Sequence, residues 1–193
     1  MRAYKAFNAK LQATKGHGVF QFEPGKTYRE GKAKCANRGF HCAENPLTVF
    51  DYYNSDTDRY FIVEAEGDIN QDGFNSRIAC TELTLMKELT KLQIVTLGVR
   101  YIQEHPMIKN ESIVSEEEGT ARNGFLVCRG KQPKGKGKIG DYLFFLKECK
   151  GSRRIKEIEC IEIDGKEFEE NKWYIFDSGE VKEWNSEKTS LES

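Results

Sequence analysis

Hydrophobic residues along this chain recur mainly at every second position, in short blocks bounded by Gly, Pro, Asn and Asp. That period is the mark of strands whose faces differ in burial. "AYKAF" (3–7) and "VFQF" (19–22) are aromatic-rich strands, and the Pro-Gly at 24–25 supplies a turn before "KTYRE". "RYFIVEAEG" (59–67) predicts a strand with Tyr60, Ile62 and Ala65 toward the core. A Gly/Asp/Asn-rich turn at 67–76 then leads to a long strand, "RIACTELTLMKEL" (77–89). Beyond residue 124 the pattern is β throughout: "FLVCRG", "IGDYLFFLKE" (139–148), "IKEIECIEI" (155–163), "KWYIF" (172–176) and "EVKEW" (180–184). Asp164-Gly165 and Ser178-Gly179 are compact turns of the hairpin kind.

Two segments carry the helical period instead. After the strand "RGFHC", Asn45 is placed to cap a helix and Pro46 to fill its first position. Val49, Phe50 and Tyr53 then share one stripe, with Thr48 and Asp51 off it, over about two turns. In "TKLQIVTLGVRYIQEHP", Thr90 and Gln93 form a capping box, Leu92, Val95, Val99 and Ile102 a stripe, and Pro106 the stop. Gly98 weakens that helix unless another element packs closely against it. The stretch 107–123 is polar, acidic and weakly periodic, and reads as a linker or mobile loop. The fold class expected is α+β: a mixed curved sheet with two helices over 1–106, a small antiparallel sheet over 124–185, and a disordered tail at 186–193.

Composition narrows the function classes. Lys and Arg total 30 against 31 Asp and Glu, so whole-chain charge favours neither a general nucleic-acid binder nor an acidic mimic. No apolar run is long enough to cross a bilayer, the first residues lack the apolar core of a signal peptide, and the expected location is cytoplasmic. The 6 cysteines, at 35, 42, 80, 128, 149 and 160, show no CxxC pair and read as free, packed thiols. Cys35, His41, Cys42 and Cys80 could be gathered around zinc, but adjacent strand residues point to opposite faces, so no metal is expected. One local patch remains: "RGKQPKGKGK" (129–138), a flexible cationic loop by composition. There Arg129, Lys131, Lys134, Lys136 and Lys138, extended by Arg153 and Arg154, could meet phosphates or an acidic surface, unless Glu116–Glu118 shields them.

The motif order "GVFQFEPGKTY", "RGFHCAENPLTVFDYY", a strand ending "VEAEG" and a helix resembles a family of uncharacterised proteins of phages, prophages and other mobile elements. "KGKGKIGDYLFFLKE" and "IEIDGKEFEENKWYIFDSGEV" resemble that family's closing segment. The likeness spans about 1–105 and 124–184; many relatives hold a Gly-, Asn- and Ala-rich repeat array between the two parts, where this chain has its acidic stretch. It implies a mobile-element accessory protein, non-enzymatic and without a cofactor. Such a protein would bind a host protein or protein–nucleic acid complex through the basic loop, as an anti-CRISPR-like inhibitor of a nuclease complex does. A phage structural protein without a defence role is the plainer alternative.

"GFHCAENPLTVFDYY" also resembles the ADP-ribosyltransferase segment in which a short strand precedes a helix ending in tyrosine. That likeness implies NAD as cofactor, with His41, Tyr52 and Tyr53 lining a nicotinamide pocket and a strand glutamate steadying developing oxocarbenium charge; Glu64 and Glu66, or Glu157 and Glu159, offer the spacing, and none of them is singled out. The first strand lacks the Arg-Gly or His-Gly, and the second the Ser-Thr-Ser, of that superfamily.

Overall fold

A computed structural model describes residues 1–16, 18–71, 76–108 and 113–185. The expected tail at 186–193 and residues 72–75 of the expected turn lie outside the described residues. The chain divides into two compact units, Met1–Tyr101 and Ile102–Ser193, and is predominantly β, with one α-helix and one short 3-10 helix among the described residues.

In the first unit the alternation becomes β1 (Arg2–Phe7), β2 (Gln12–Ala13), β3 (Phe20–Gln21), β4 (Thr27–Arg29), β5 (Phe40–Ala43), β6 (Arg59–Gln71) and β7 (Arg77–Leu89). β6 and β7 form a long antiparallel hairpin. β1 pairs with the free edge of β6, β5 with β7, and β1 with β5, so four strands close into a ring, with β4 added along β7. The ring is a small barrel. Its interior is filled by Ala3 and Phe7 of β1, Phe61, Val63 and Ala65 of β6, Phe40 and Cys42 of β5, and Ile78, Cys80, Leu83 and Leu85 of β7. Of the residues expected toward the core on β6, Ala65 points into the barrel and Tyr60 is buried, but on the other face. Ile62 is only half-buried, and Tyr60 faces away from the interior, its ring 5.0 Å from that of Phe50. The expected turn at 67 is a bulge in a continuing strand. Gly67 takes φ 71° there, and the Asp68 N–H turns aside to donate to Thr81 Oγ1 at 2.8 Å.

The ring is not evenly closed. β1 and β6 share six register pairs from Arg2↔Glu64 to Phe7↔Arg59, whereas β1 and β5 meet at Tyr4↔Ala43 alone. Beyond that pair the two strands part, leaving an open seam.

The 3-10 helix (Pro46–Asp51) follows β5 and is capped as predicted, the Leu47 N–H donating to Asn45 Oδ1 at 3.0 Å. Its tighter winding carries Thr48 inward together with Val49 and Phe50, contrary to the α-helical stripe; the Thr48 hydroxyl lies 3.1 Å from Ser76 Oγ. α1 (Lys91–Glu104) begins with the expected capping box: the Thr90 N–H donates to Gln93 Oε1 at 2.9 Å and the Gln93 N–H to Thr90 Oγ1 at 3.1 Å. Its buried stripe is Ile94, Val95, Val99 and Ile102, while Leu92 is 39% exposed. Gly98 has its packing reason, since a Cβ there would collide with the Leu47 side chain.

The second unit contains β8 (Val114–Thr120), β9 (Phe125–Lys136), β10 (Tyr142–Glu148), β11 (Ile155–Glu162), β12 (Tyr174–Asp177) and β13 (Glu180–Glu183). Two expectations change here. Residues 114–120, expected in a linker, are a strand paired in parallel with β9, and β9 is also parallel to β10, so the sheet is mixed rather than antiparallel. Acidic side chains on a solvent-facing strand mimic a linker in composition, which hides the pairing. β8 and β9 bend together. Glu117, at φ 62°, marks the bend in β8. Its carboxylate accepts the Lys131 N–H at 3.1 Å, within the irregularity that separates Arg129 from Lys134 in the pairing. Past the bend β9 doubles back over its own start, and a Cβ at Gly135 would collide with Leu126 nine positions earlier. Leu126, Cys128, Leu143 and Phe145 thereby share a core with Tyr174 and Phe176 of β12. Ser178 and Gly179, at φ 53° and 80°, make the predicted tight turn between β12 and β13.

Candidate functional site

The open seam is where the first unit has a cavity, of about 520 Å³. Where β1 and β5 part, a backbone carbonyl of β5 loses its strand partner, and a side chain takes that role: Lys5 Nζ donates to His41 O at 2.5 Å. Lys5 shares a strand face with Ala3 and Phe7 and so points toward the barrel interior. Its amine sits 5.5 Å from the Phe7 ring centroid and 5.7 Å from that of Phe22. Burial pushes it below the ordinary lysine range, and the nearby thiols of Cys42 and Cys80 offset that only in part. Their mutual hydrogen bond, with burial, raises the Cys42 thiol well above its usual value, and the same contact lowers that of Cys80.

The walls are aromatic. Phe20, Phe22, Tyr28 and Phe40 form a cluster of tilted and edge-on rings with centroids 4.7 to 6.2 Å apart, and all but Tyr28 line the cavity. The 3-10 helix and the residues after it supply Val49, Tyr52 and Tyr53 from the opposite side. Tyr53 is anchored, its hydroxyl accepting the Thr14 N–H at 2.6 Å, whereas Tyr52 is 42% exposed. Arg77 lines the cavity beside Tyr52, with Nη1 3.4 Å from the Tyr52 hydroxyl, and the exposed Lys15 and Arg38 stand among the lining residues. Glu30 is the one carboxylate among the described residues lining the cavity; its Oε2 accepts the Gly39 N–H at 3.2 Å.

His41 occupies the wall with its Nε2 buried and without a hydrogen-bond partner. Burial first, and the Lys5 charge second, hold its imidazole below the usual value, so the neutral ring is favoured. The ring thus lies in the cavity wall with one nitrogen withdrawn from water and unpaired, a costly state that a hydrogen bond would relieve.

The expected site residues divide sharply. His41, Tyr52 and Tyr53 come together around this cavity. Glu64 does not: it lies exposed on β6, opposite Arg2 and Thr84, on the outward face between Val63 and Ala65. The presumed basic loop is for the most part strand β9, and its first member is buried. Arg129 is 1% exposed and donates to Glu148 Oε1 at 2.6 Å, Arg153 O at 2.8 Å and Pro106 O at 3.0 Å. Lys134 pairs with Glu118 at 3.1 Å and lies 4.1 Å from the Trp184 ring centroid; Lys136 lies 4.9 Å from that of Trp173. Arg153 pairs with Glu116 at 3.0 Å. The acidic stretch does shield much of the patch, leaving the side chains of Lys131, Lys138 and Arg154 exposed. Among the described residues no cluster of three His, Cys, Asp or Glu could hold a metal ion.

Sequence reasoning missed Lys5, Glu30 and Arg77. For Lys5 the signal was present: a lysine in register with Ala3 and Phe7 interrupts the apolar face of the first strand.

Residues 1–97 match the family described as Domain of unknown function (DUF7666). The chain belongs to that family. The match covers every residue lining the cavity, so the cavity lies wholly within the DUF7666 region. No curated protein and no solved structure matches the chain. Among the described residues of this DUF7666 protein, no helix is long and apolar enough to cross a membrane.

Proposed function

We propose that the DUF7666 unit binds a small organic molecule with a planar ring and an anionic group, taken into the cavity at the seam between β1 and β5. The observation that carries this reading is the cavity itself, which gathers His41 with the rings of Phe20, Phe22, Phe40, Tyr52 and Tyr53. Ring faces bury a planar body, the imidazole supplies one directed hydrogen bond, and Arg77, Lys15 and Arg38 outweigh Glu30 in favour of negative charge. Thermal unfolding with and without NAD, and with mononucleotides, is the direct test. A rise of several degrees at saturating ligand, lost in His41→Asn, is expected, because only a ligand of the native state raises the midpoint. No rise with any of them removes nucleotides as the ligand class.

A second reading, NAD-dependent transfer in the ADP-ribosyltransferase manner, is favoured by His41, Tyr52 and Tyr53 sharing one cavity. The ring-binding part of the site fits nicotinamide. Glu64 lies away from the cavity, and among the described residues that line it Glu30 is the carboxylate that would have to steady the ribose charge. Release of nicotinamide from NAD, abolished in Glu30→Gln with the thermal shift retained, is what this reading requires. The mobile-element accessory reading, with anti-CRISPR-like binding of a host complex, has less to stand on, because Arg129 is buried and Lys134 and Arg153 are paired. It calls for partner binding that weakens steeply with salt and is lost when Lys131, Lys138 and Arg154 are neutralised.

A further inference from the structure

Resting on the cavity as a ligand site, the geometry points to Lys5 as a covalent anchor: we propose that its amine condenses with an aldehyde or ketone carbonyl of the bound molecule to form an imine. Three observations converge on this amine. Lys5 lines the cavity at the mouth of the barrel interior, where few cations belong. Its hydrogen bond goes to a neutral carbonyl, His41 O, and no carboxylate of the described residues is paired with it. Lys5 is half-buried, and an ammonium drawn out of water without a counter-ion is costly, so shedding the proton is the inexpensive response. Burial accordingly lowers the amine's proton affinity, which leaves a larger share of it as the free nucleophile near neutral pH.

The step balances without an oxidant or reductant. The Nζ lone pair attacks the carbonyl carbon, a carbon–nitrogen bond forms, and the oxygen becomes the hydroxyl of a carbinolamine. The two amine hydrogens then leave with that oxygen as water, and the carbon–nitrogen double bond remains. A carbonyl compound with an aromatic ring and an anionic group satisfies both this chemistry and the walls, with the ring against Phe22 or Tyr52 and the anion toward Arg77.

Pyridoxal 5′-phosphate is a probe with all three features. The full chain is incubated with an equimolar amount near neutral pH, reduced with borohydride, digested and read by peptide mass spectrometry. Lys5 is expected to carry the pyridoxyl mass at severalfold the occupancy of exposed lysines such as Lys10, Lys26 and Lys131, because the cavity holds the aldehyde beside an amine whose proton affinity burial lowers. Lys5→Arg should remove that label and leave the others unchanged. Occupancy at Lys5 equal to or below that of the exposed lysines overturns the inference. Pyridoxine 5′-phosphate, which lacks the aldehyde, separates the two readings. A thermal shift with it alongside an unlabelled Lys5 keeps the cavity as a binding site and discards the imine; no shift and no label discard both.

Discussion

His41 and Lys5 line the same cavity, and each is held toward its neutral form by burial. For His41 the sign is definite. The unfolded imidazole takes up its proton near its ordinary value of 6.5 while the folded one resists, so stability falls as pH drops through that region toward the lowered folded value. Urea midpoints of wild type and His41→Asn, compared between about pH 7.5 and 5, should converge on acidification, because the variant lacks this component. Parallel pH profiles for the two proteins would rule it out. Arg129 offers the opposite case, a charge that is buried and fully engaged. Arg129→Ala strands Glu148 and two carbonyls, and should destabilise the second unit by about 3–5 kcal/mol in chemical denaturation. Local composition hid this. "RGKQPKGKGK" looks solvated because five of its ten residues are cationic. Burial of the first depends on Glu148, Pro106 and Arg153, which no short window of sequence connects to it.

Among the elements, boundaries were legible wherever local chemistry decides them. Asn45 and Pro46 start the 3-10 helix, Thr90 and Gln93 start α1, and the ends of β7 fall where the alternation places them. What stayed hidden was winding and pairing. The step from α to 3-10 turns Thr48 inward, and β8 is a strand only because β9 lies beside it. The contact between the 3-10 helix and α1 allows a test in which the sign itself is informative. Alanine normally strengthens a helix over glycine by about 0.5–1 kcal/mol. Gly98→Ala should instead cost about 1–3 kcal/mol, because the new methyl group meets Leu47. In a Leu47→Ala background the same change should become neutral or stabilising. Additive effects in that double-mutant cycle would mean the two side chains do not compete for the space.

For the whole molecule, two compact units with separate cores predict separable folding. Residues 1–106 expressed alone should unfold in one cooperative transition and keep whatever ligand response the full chain has. A fragment without a cooperative transition would mean that the first unit borrows stability from the second. The doubled-back β9 carries a consequence for the order in which the second unit forms. Its first half pairs on both sides with strands close by in the chain, Val114↔Val127 and Tyr142↔Phe125; its second half has β8 on one edge, at Glu118↔Lys134, while the other edge waits for Ile175↔Lys134, a far larger loop to close. Loop entropy favours the near pairings early and leaves β12 and β13 to arrive after the rate-limiting barrier. Truncating Ile175 should therefore quicken unfolding while leaving the refolding rate nearly unchanged. The hairpin of β12 and β13 then acts as the latch of the second unit: the last part to seat, and the first through which it opens.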